Sequence, residues 1–572
     1  MASRCLEEER DIPLKLGEGT EQAPATAAAE RATDDLALAV LAPPGPPQLT
    51  ILGQLEQEDK LNLGATCTSL QQASLVWFPE VAECMNLGET DVAALADWLA
   101  RHHACLHLCD FSLYDDGTKH GPLEAEWNDS LTALPASLVV SLTTGYQLCS
   151  NVSTLTALTR LELEGWSWKD CSNEIISHRH LQPLTRLRQL SLKGVNIGSN
   201  AEELQLLPAG LQALNMSSCS LQTMPRALAA HTQLTALDLS NNLLSTTESL
   251  ATLQRLQSLD LSCCKLGAVP AQLSVLTALT HLDLGGIELL NRGWQHLAPL
   301  IQLQRLALEY CSLIAVPQEL SALTALTELD LSHNDSVGSN WQHLLHLTQL
   351  RHLDLPHCDL TALPQQLSAL TALTSLDLTA LLPRCNGWQH LLPLVQLRAL
   401  KLKESMLKTV PEQVSALTAL TRLNLAGNNK LNGGCQHLLF LTQLQDLDLS
   451  GCKLKTVPDQ LSALAALTRL NLHANKKLAG GWQNLLCLTL LLDLNLCWCR
   501  LTTVPEQCSV LTALVSLNLA RNRDLAGGWQ HLLPLTQLRF LGVKNVRLPA
   551  QEAQALLAAL PDLSVEYDGR CW

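Results

Sequence analysis

Hydrophobic and polar residues alternate along most of this chain in a pattern that suits short, half-buried strands. In one typical stretch, Leu447 and Leu449 flank the polar residue Asp448, and Leu444 precedes them. Because successive side chains of a strand point to opposite sides, the leucines should face a core and Asp448 should face solvent. The central leucine recurs at Leu161, Leu190, Leu214, Leu237, Leu259, Leu282, Leu306, Leu329, Leu353, Leu376, Leu400, Leu423, Leu447, Leu470, Leu494, Leu517 and Leu541. The pattern predicts a short strand at each position.

Two further markers recur every 47 residues. The first is a proline after an aliphatic residue, at Pro270, Pro317, Pro364, Pro411, Pro458 and Pro505. The second is a residue followed by glutamine, at Trp294, Trp341, Trp388, Cys435, Trp482 and Trp529. A fixed period of this length is typical of a solenoid. Each period holds two leucine patterns, so the single repeat is 23 or 24 residues long.

A single repeat of this length cannot fold alone. It buries about eight apolar side chains, each of which contributes about 1.5–3 kcal/mol. Ordering its backbone costs about 1–2 kcal/mol per residue, which exceeds that gain. Neighbouring repeats must therefore share one core.

The repeat frame, LxxLxLxx followed by Asn or Cys, closely resembles that of the leucine-rich repeat family. The resemblance implies an α/β solenoid, a curved horseshoe with parallel strands on its concave face. The sequence then predicts a disordered, Pro-rich arm at 1–47, a small helical module at 48–90, degenerate repeats at 91–154, regular repeats at 155–550 and a C-terminal cap at 551–572. Within the degenerate repeats, apolar spacing favours a helix at 91–101 and a strand at Cys105–Leu108.

The module at 48–90 carries apolar residues at helical spacings. Its stretch from Ile51 to Ser74 resembles an F-box, which docks the Skp-type adaptor of a cullin–RING ubiquitin ligase. Pro46 and Pro47 depart from the family, because they fall where its first helix usually runs. The alternative interpretation is a helical cap on the end of the solenoid. The adaptor-binding residues that the resemblance implies are Ile51, Leu52, Leu55, Asp59, Leu61, Leu63, Cys67 and Leu70.

The residue between the paired leucines should point into the concave face, and there it is mostly acidic. It is Asp at 238, 260, 283, 330, 354, 377 and 448, and Asn at 424, 471, 495 and 518. This stripe is either an ordinary solvated surface or a docking surface for a protein that carries basic groups, and an extended concave face favours docking. The predicted partner-binding residues are Asp260, Asp283, Arg305, Glu328, Asp330, His352, Asp354, Asp377, Lys401 and Asp448.

Composition narrows the partner class and the compartment. The net charge of −16 argues against a general nucleic-acid or membrane binder, because such proteins carry an excess of Lys and Arg. No run of eighteen apolar residues is present, as a membrane span would need, and the short apolar run at 36–42 lacks the basic segment of a secretory signal.

The cysteines indicate a reducing compartment. Six of them occupy the Asn/Cys position of the frame, two repeats apart in most cases, which is about 10 Å and too far for a disulfide. They are Cys219, Cys264, Cys311, Cys358, Cys452 and Cys499. We therefore expect small buried side chains in one ladder and a cytoplasmic protein, with the nucleus or a ciliary axoneme as further options.

No motif for catalysis, nucleotide binding or a cofactor is present. The histidines after the Trp-Gln pairs recur about 10 Å apart, whereas zinc needs ligands about 2 Å away, so they indicate packing rather than a metal site. Cys497 is an isolated thiol and only weak evidence of reactivity.

The sequence therefore predicts a non-catalytic protein–protein interaction protein without a cofactor or metal. One hypothesis is a substrate receptor of an F-box-type ubiquitin ligase, with the target protein on the concave face. The alternative is a leucine-rich-repeat scaffold or signalling adaptor of cytoskeletal or ciliary type, in which 49–78 is only a cap.

Overall fold

The computed structural model describes residues 80–85, 92–102, 104–110, 131–144, 150–163, 180–195, 197, 204–288, 290, 292–431, 434–567 and 570–571. The chain divides into two compact units: Met1–Leu244 with Glu248–Leu256, and Ser245–Thr247 with Gln257–Trp572. The residues predicted to bind an adaptor, from Ile51 to Leu70, lie outside the described residues.

The described residues of the first unit include the α-helix α1 (Val92–His102), a helical segment at 131–133 and a series of parallel strands. The strands are β1 (Glu80–Met85), β2 (Cys105–Asp110), β3 (Val139–Thr144), β4 (Arg160–Leu163), β5 (Gln189–Ser191), β6 (Ala213–Asn215) and β7 (Ala236–Asp238). Each strand pairs in parallel with the next one along the chain. α1 and β2 confirm the helix and the strand expected at 91–101 and Cys105–Leu108. β1 was not predicted, and it lies inside the segment assigned to the helical module.

The second unit repeats one strand-and-turn unit throughout. Its strands are β8 (Ser258–Asp260), β9 (His281–Asp283), β10 (Arg305–Ala307), β11 (Glu328–Asp330), β12 (His352–Asp354), β13 (Ser375–Asp377), β14 (Ala399–Lys401), β15 (Arg422–Asn424), β16 (Asp446–Asp448), β17 (Arg469–Asn471), β18 (Asp493–Asn495), β19 (Ser516–Asn518) and β20 (Phe540–Gly542). After them come the helix α2 (Ala550–Ala559) and the strands β21 (Ser564–Tyr567) and β22 (Arg570–Cys571). Neighbouring strands from β8 to β21 pair in parallel, and β22 runs antiparallel to β21.

The central leucine of each strand sets the register. Leu329, for example, lies opposite Leu306 on one side and Leu353 on the other, and all three are at most 2% exposed. Since a slip of one residue would turn these leucines to solvent, the buried column specifies the pairing. Every position predicted to hold a central leucine lies in a strand, so the predicted leucine-rich repeat fold is confirmed.

Short 3-10 helices form the segments between most strands of the second unit, whereas its α-helical contribution within the described residues is α2. One set follows the repeated prolines, as Pro270 precedes Ala271–Val275 with a φ of −61°. Proline fits there because its ring fixes φ and no ladder hydrogen bond needs its missing N–H. The other set carries the tryptophans. Before Trp482, Gly481 has a φ of 79°, and a Cβ at Gly481 would lie 2.5 Å from the Val457 carbonyl oxygen, so only glycine fits.

A ladder of buried polar side chains joins the turns that follow the strands. Asn475 is fully buried, and its Nδ2 donates to the carbonyl oxygens of Leu449 and Leu472, both at 2.9 Å. Its Oδ1 accepts from the N–H of Leu454 at 2.9 Å. In alternate repeats a cysteine takes this place, and the Cys452 thiol donates to the Leu425 carbonyl at 3.1 Å. The six cysteines predicted for this ladder are all buried and free, as expected.

Asn475→Ala should lower the free energy of unfolding by about 3 kcal/mol, because it leaves the Leu454 N–H and two carbonyls buried without partners. Cys452→Ala removes one weak thiol donor and should cost about 1 kcal/mol. Urea unfolding followed by circular dichroism measures both values. Equal losses would show that the asparagine bonds do not stabilise the stack.

Candidate functional site

The strand face is the solvent-facing side of β8–β20, made by the residues immediately before and after each central leucine. In β11, Glu328 and Asp330 are half-buried on this side, and Leu329 between them points into the core with 1% exposure. The pairing register places equivalent residues of successive strands side by side, so Asp330 lies opposite Asp354 and Asp354 opposite Asp377. Chemistry that recurs along the sequence is therefore collected on one surface.

A row of carboxylates, which we name the acidic column, crosses the strand face. Ala307 interrupts the series of aspartates on β10, but the carboxylate of Glu309 fills the gap and interacts electrostatically with both Asp283 and Asp330. The members of the acidic column are Asp260, Asp283, Glu309, Asp330, Asp354 and Asp377. The structure thus places the predicted aspartates together, whereas the ladder separates Asp448 from them by Lys401 and Asn424.

Most aspartates of this row have a local structural role that the sequence pattern did not reveal. The Oδ1 of Asp283 accepts from the backbone N–H of Gly285 at 2.8 Å, and the Oδ1 of Asp448 accepts from that of Ser450 at 2.8 Å. Asn471 makes the same bond to the N–H of His473 at 3.0 Å. Both aspartate and asparagine occur at this position because either side chain can close the turn after the strand.

Asp354 is the exception. The residue two positions after it is Pro356, which has no N–H to donate. Its carboxylate therefore does not close the turn, although it lies between Asp330 and Asp377 in the strand ladder. The Asp354 carboxylate is therefore repelled by both neighbouring carboxylates and lacks the turn-closing hydrogen bond that stabilises the other aspartates.

Burial and mutual repulsion make part of the acidic column hard to ionise. Burial raises the pKa of Asp354 to about 6, and the Asp330 and Asp377 carboxylates add to that rise. Burial likewise raises the pKa of Asp283 to about 6, against the opposing hydrogen bond from Gly285. The pKa of Glu309 is also raised, first by burial and then by Asp330. The negative charge on this face is thus only partly compensated.

The cations on the strand face are mostly engaged with single acids. Lys401 Nζ lies 3.0 Å from Asp377 Oδ2, and this hydrogen bond raises the pKa of Lys401. Arg305 pairs with Glu328 at 2.5 Å. His352, which follows Glu328 in the ladder, is exposed. Asp330 and Asp354 have no such ion pair within the residues that the structure describes.

A stack of three rings, which we name the ring stack, borders the acidic column, and the sequence analysis missed it. The ring centroids of Tyr310 and His333 lie 4.0 Å apart, and those of His333 and His357 lie 4.5 Å apart, with nearly parallel planes. All three residues have positive φ, between 52° and 54°, where the equivalent Gly286 has 65°. Bulky residues reach this conformation at a cost of about 1–2 kcal/mol each. The sequence signal that could have revealed the ring stack is the recurrence of ring-bearing residues at one fixed position of successive repeats.

The tryptophan markers lie in the outer 3-10 helices, and Trp294, Trp388 and Trp482 are half-buried there. Trp529 is 1% exposed and Trp341 is 8% exposed, while Cys435, which replaces a tryptophan, is fully buried. Across the described residues, no group of three or more His, Cys, Asp or Glu side chains could hold a metal ion. Burial raises the pKa of the Cys497 thiol, which opposes the thiolate form that a reactive cysteine needs.

None of the helices within the described part of the chain has both the length and the apolar character needed to cross a bilayer.

Two sequence families match the chain. One is described as a leucine rich repeat and matches residues 301–360, and the other, also described as a leucine rich repeat, matches residues 443–464. No curated protein matches the chain significantly.

Solved structures with similar folds include three repeat proteins. A leucine-rich repeat protein of Leptospira interrogans is 22% identical, with 77% of this chain and 97% of that chain covered and a TM-score of 0.42. An internalin of Listeria monocytogenes is 18% identical, covers 69% and 94%, and has a TM-score of 0.40. TLR13, in a complex with ssRNA13, is 20% identical, covers 79% and 76%, and has a TM-score of 0.52. At these identities the likeness concerns the fold alone.

Asp354→Asn should stabilise the protein at pH 7.5 by about 1 kcal/mol, a figure reduced for the partial exposure of the group. The folded-state pKa of Asp354, about 6, lies above the unfolded value near 4. The ionised carboxylate therefore costs stability at neutral pH, and that cost declines as the pH falls below about 6 and is lost only below the unfolded value near 4. Urea midpoints should show the full gain at pH 7.5, about half of it at pH 5 and almost none below about pH 4.

Asp448→Asn is the matched control, because Asn424 and Asn471 are its ladder neighbours. It should give no stabilisation at either pH. A gain of the same size in both variants would mean that net charge, rather than the crowding around Asp354, limits stability.

Proposed function

We propose, from the premise that this chain is a leucine-rich repeat protein, that it recognises another protein without catalysing a reaction. The strand face of β9–β13 is the docking surface, and the partner presents a basic, arginine-bearing segment. The observation that carries the proposal is Asp354, a half-buried carboxylate between two others that does not close its turn. A residue that costs stability without a folding role is typical of a binding surface.

Charge complementarity defines the partner. Lys401 forms an ion pair with Asp377, and Arg305 forms one with Glu328. Among the described residues, the carboxylates of Asp283, Glu309, Asp330 and Asp354 form no ion pair. Burial first, and neighbouring carboxylates after it, raise the pKa values of Asp283, Glu309 and Asp354, which records the cost of holding these charges in the column. A basic side chain placed between them would remove that cost, so binding and ionisation of the column favour each other.

The ring stack makes arginine the better fit than lysine. Tyr310 is 52% exposed, and the position before it in the row is Gly286, which has no side chain. A planar guanidinium stacks on aromatic faces and pairs with carboxylates through its fork of donors, whereas the lysine ammonium is a compact, strongly hydrated charge. The open side of Tyr310 and the nearby Glu309 carboxylate offer both contacts to one arginine.

A fluorescent nona-arginine peptide is the probe for this surface. The triple variant Asp283→Asn, Asp330→Asn and Asp354→Asn keeps the turn-closing oxygens at 283 and 330 but removes three charges. It should weaken binding at least about tenfold at low salt. The control Glu319→Gln, Glu412→Gln and Glu506→Gln removes three charges from the outer 3-10 helices and should change binding less than about threefold.

Fluorescence anisotropy measures both variants, and equal weakening would contradict a localised site. Tyr310→Gly adds a second arm, because glycine is relaxed at this positive φ and the fold is not endangered. This variant should lose the preference for nona-arginine over nona-lysine. An unchanged preference would remove the ring stack from the proposal.

The finer proposal is that the chain is an F-box-type substrate receptor in the cytoplasm. Its support is the resemblance of the stretch from Ile51 to Ser74 to an F-box, which would hold the Skp-type adaptor while the strand face holds the target. The competing role is a scaffold or signalling adaptor without a link to ubiquitin, which uses the same strand face. Adaptor binding distinguishes the two roles.

The full-length chain should retain a purified Skp-type adaptor in a pull-down. The double variant Leu52→Asp and Leu55→Asp should lose it, because carboxylates cannot enter an apolar adaptor groove without a large desolvation cost. The control Gln54→Asp and Gln57→Asp adds the same charge within this stretch, at positions that are not among the implied adaptor-binding residues, and should retain the adaptor. A wild-type chain that retains no adaptor would leave the scaffold role.

A further inference from the structure

The last five repeats carry a cation at one fixed position, directly after the ladder position that holds Asn or Cys in the first four of them and Val546 in the fifth. These cations are Lys453, Lys476, Arg500, Arg523 and Arg547, and all of them are exposed. The eight earlier repeats of the second unit hold a single cation at this position, Lys265, and otherwise Glu288, Ser312, Asp335, Asp359, Leu382, Met406 and Asn429. Since neighbouring strands lie about 4.8 Å apart, the five cations form a row of about 19 Å.

The same turns hold further cations. We name the whole set, in the turns after β16–β20, the basic edge: Lys453, Lys455, Lys476, Lys477, Arg500, Arg521, Arg523, Lys544 and Arg547. Asp524 is the acidic residue among them. A chain with a net charge of −16 thus concentrates positive charge on one edge of its repeats.

The fold does not explain this row. Like charges on neighbouring strands repel one another. None of the nine cations forms an ion pair with a carboxylate among the residues that the structure describes. The positive φ of Lys453 and Arg500 belongs to the repeat, because Ser312, Asp359 and Met406 have it at the same position. The cost of holding like charges side by side indicates a ligand that compensates for it.

We propose that the basic edge binds an acidic segment of a polypeptide, through carboxylates that face successive repeats. An extended peptide rises about 3.3 Å per residue, so about six residues match the length of the row. The surface lies on the turns after β16–β20, whereas the acidic column lies on β8–β13. The chain therefore offers a second docking surface, of opposite charge to that of the proposed function.

The aromatic content of these turns favours a peptide over a single-stranded nucleic acid. Proteins that bind single strands offer several aromatic faces to successive bases. The ring-bearing side chains in the described turns after β16–β20 are the indole of Trp498 and the imidazole of His473. Lys476 Nζ lies 3.5 Å from the Trp498 ring centroid and occupies one face of that ring. Carboxylates need only the cations, which are present in every turn.

A fluorescein-labelled hexaglutamate peptide tests the proposal by anisotropy with the full chain. The wild-type protein should bind it with an affinity that falls as salt rises. Lys453→Gln, Arg500→Gln and Arg523→Gln together should weaken binding at least about tenfold. The control Arg351→Gln, Arg398→Gln and Arg422→Gln removes three exposed arginines of the same unit and should change binding less than about threefold.

Other outcomes overturn the proposal. Unchanged binding in the basic-edge variant, or equal weakening in the control, would mean that no site exists on this edge. Tighter binding of a hexauridylate RNA than of hexaglutamate at the same salt would mean that the occupant is nucleic acid. Lys453→Gly with Arg500→Gly repeats the test with relaxed backbone at both positions, so misfolding cannot imitate the loss. Nona-arginine binding should be unaffected in these variants, which separates this result from that of the acidic column.

Discussion

The in-register burial of one leucine column is the constraint on which the rest of the structure depends. Leu329 contacts solvent over only 1% of its surface and lies opposite Leu306 and Leu353, as equivalent leucines do along the second unit. Because this column fixes each strand relative to the next, every other position of the repeat also forms a row. The acidic column, the buried asparagine and cysteine ladder and the basic edge are rows of this kind. The register of the buried leucines therefore determines which side chains lie next to one another on the surface.

The opposite charges of two such rows define what the protein can hold. The acidic column has carboxylates whose pKa values are raised by burial and by one another, and it is bordered by stacked rings. The basic edge has cations without carboxylate partners in the described turns. The crowding of like charges in each row opposes folding, although most of the aspartates also close a turn, and each row is complementary to a partner of the other sign. Recognition by two separate surfaces suits a protein that brings two polypeptides together.

Much of this architecture follows from the sequence, because period and burial are coupled. The seventeen predicted strand leucines and the aspartates between them lie where the leucine spacing places them. Spacing does not reveal hydrogen bonds, so the turn-closing role of Asp283 appeared only in the structure. Pro356 was visible in the sequence, but its effect on Asp354 could be recognised only after the turn-closing hydrogen bond of the other aspartates was known. The ring stack and the basic edge become visible in the sequence only when the turns of successive repeats are aligned with one another. The spacing of the leucines does not point to these turn positions.

The left-handed turn residues have a consequence for how the protein changes over time. Tyr310, His333 and His357 occupy a conformation in which Gly286, Gly427 and Gly451 are unstrained. A reversion to glycine at such a position removes a side chain from the surface and relieves the backbone at the same step. Binding specificity can therefore drift one repeat at a time without passing through an unstable ancestor, so ligand preference and foldability evolve almost independently in this chain.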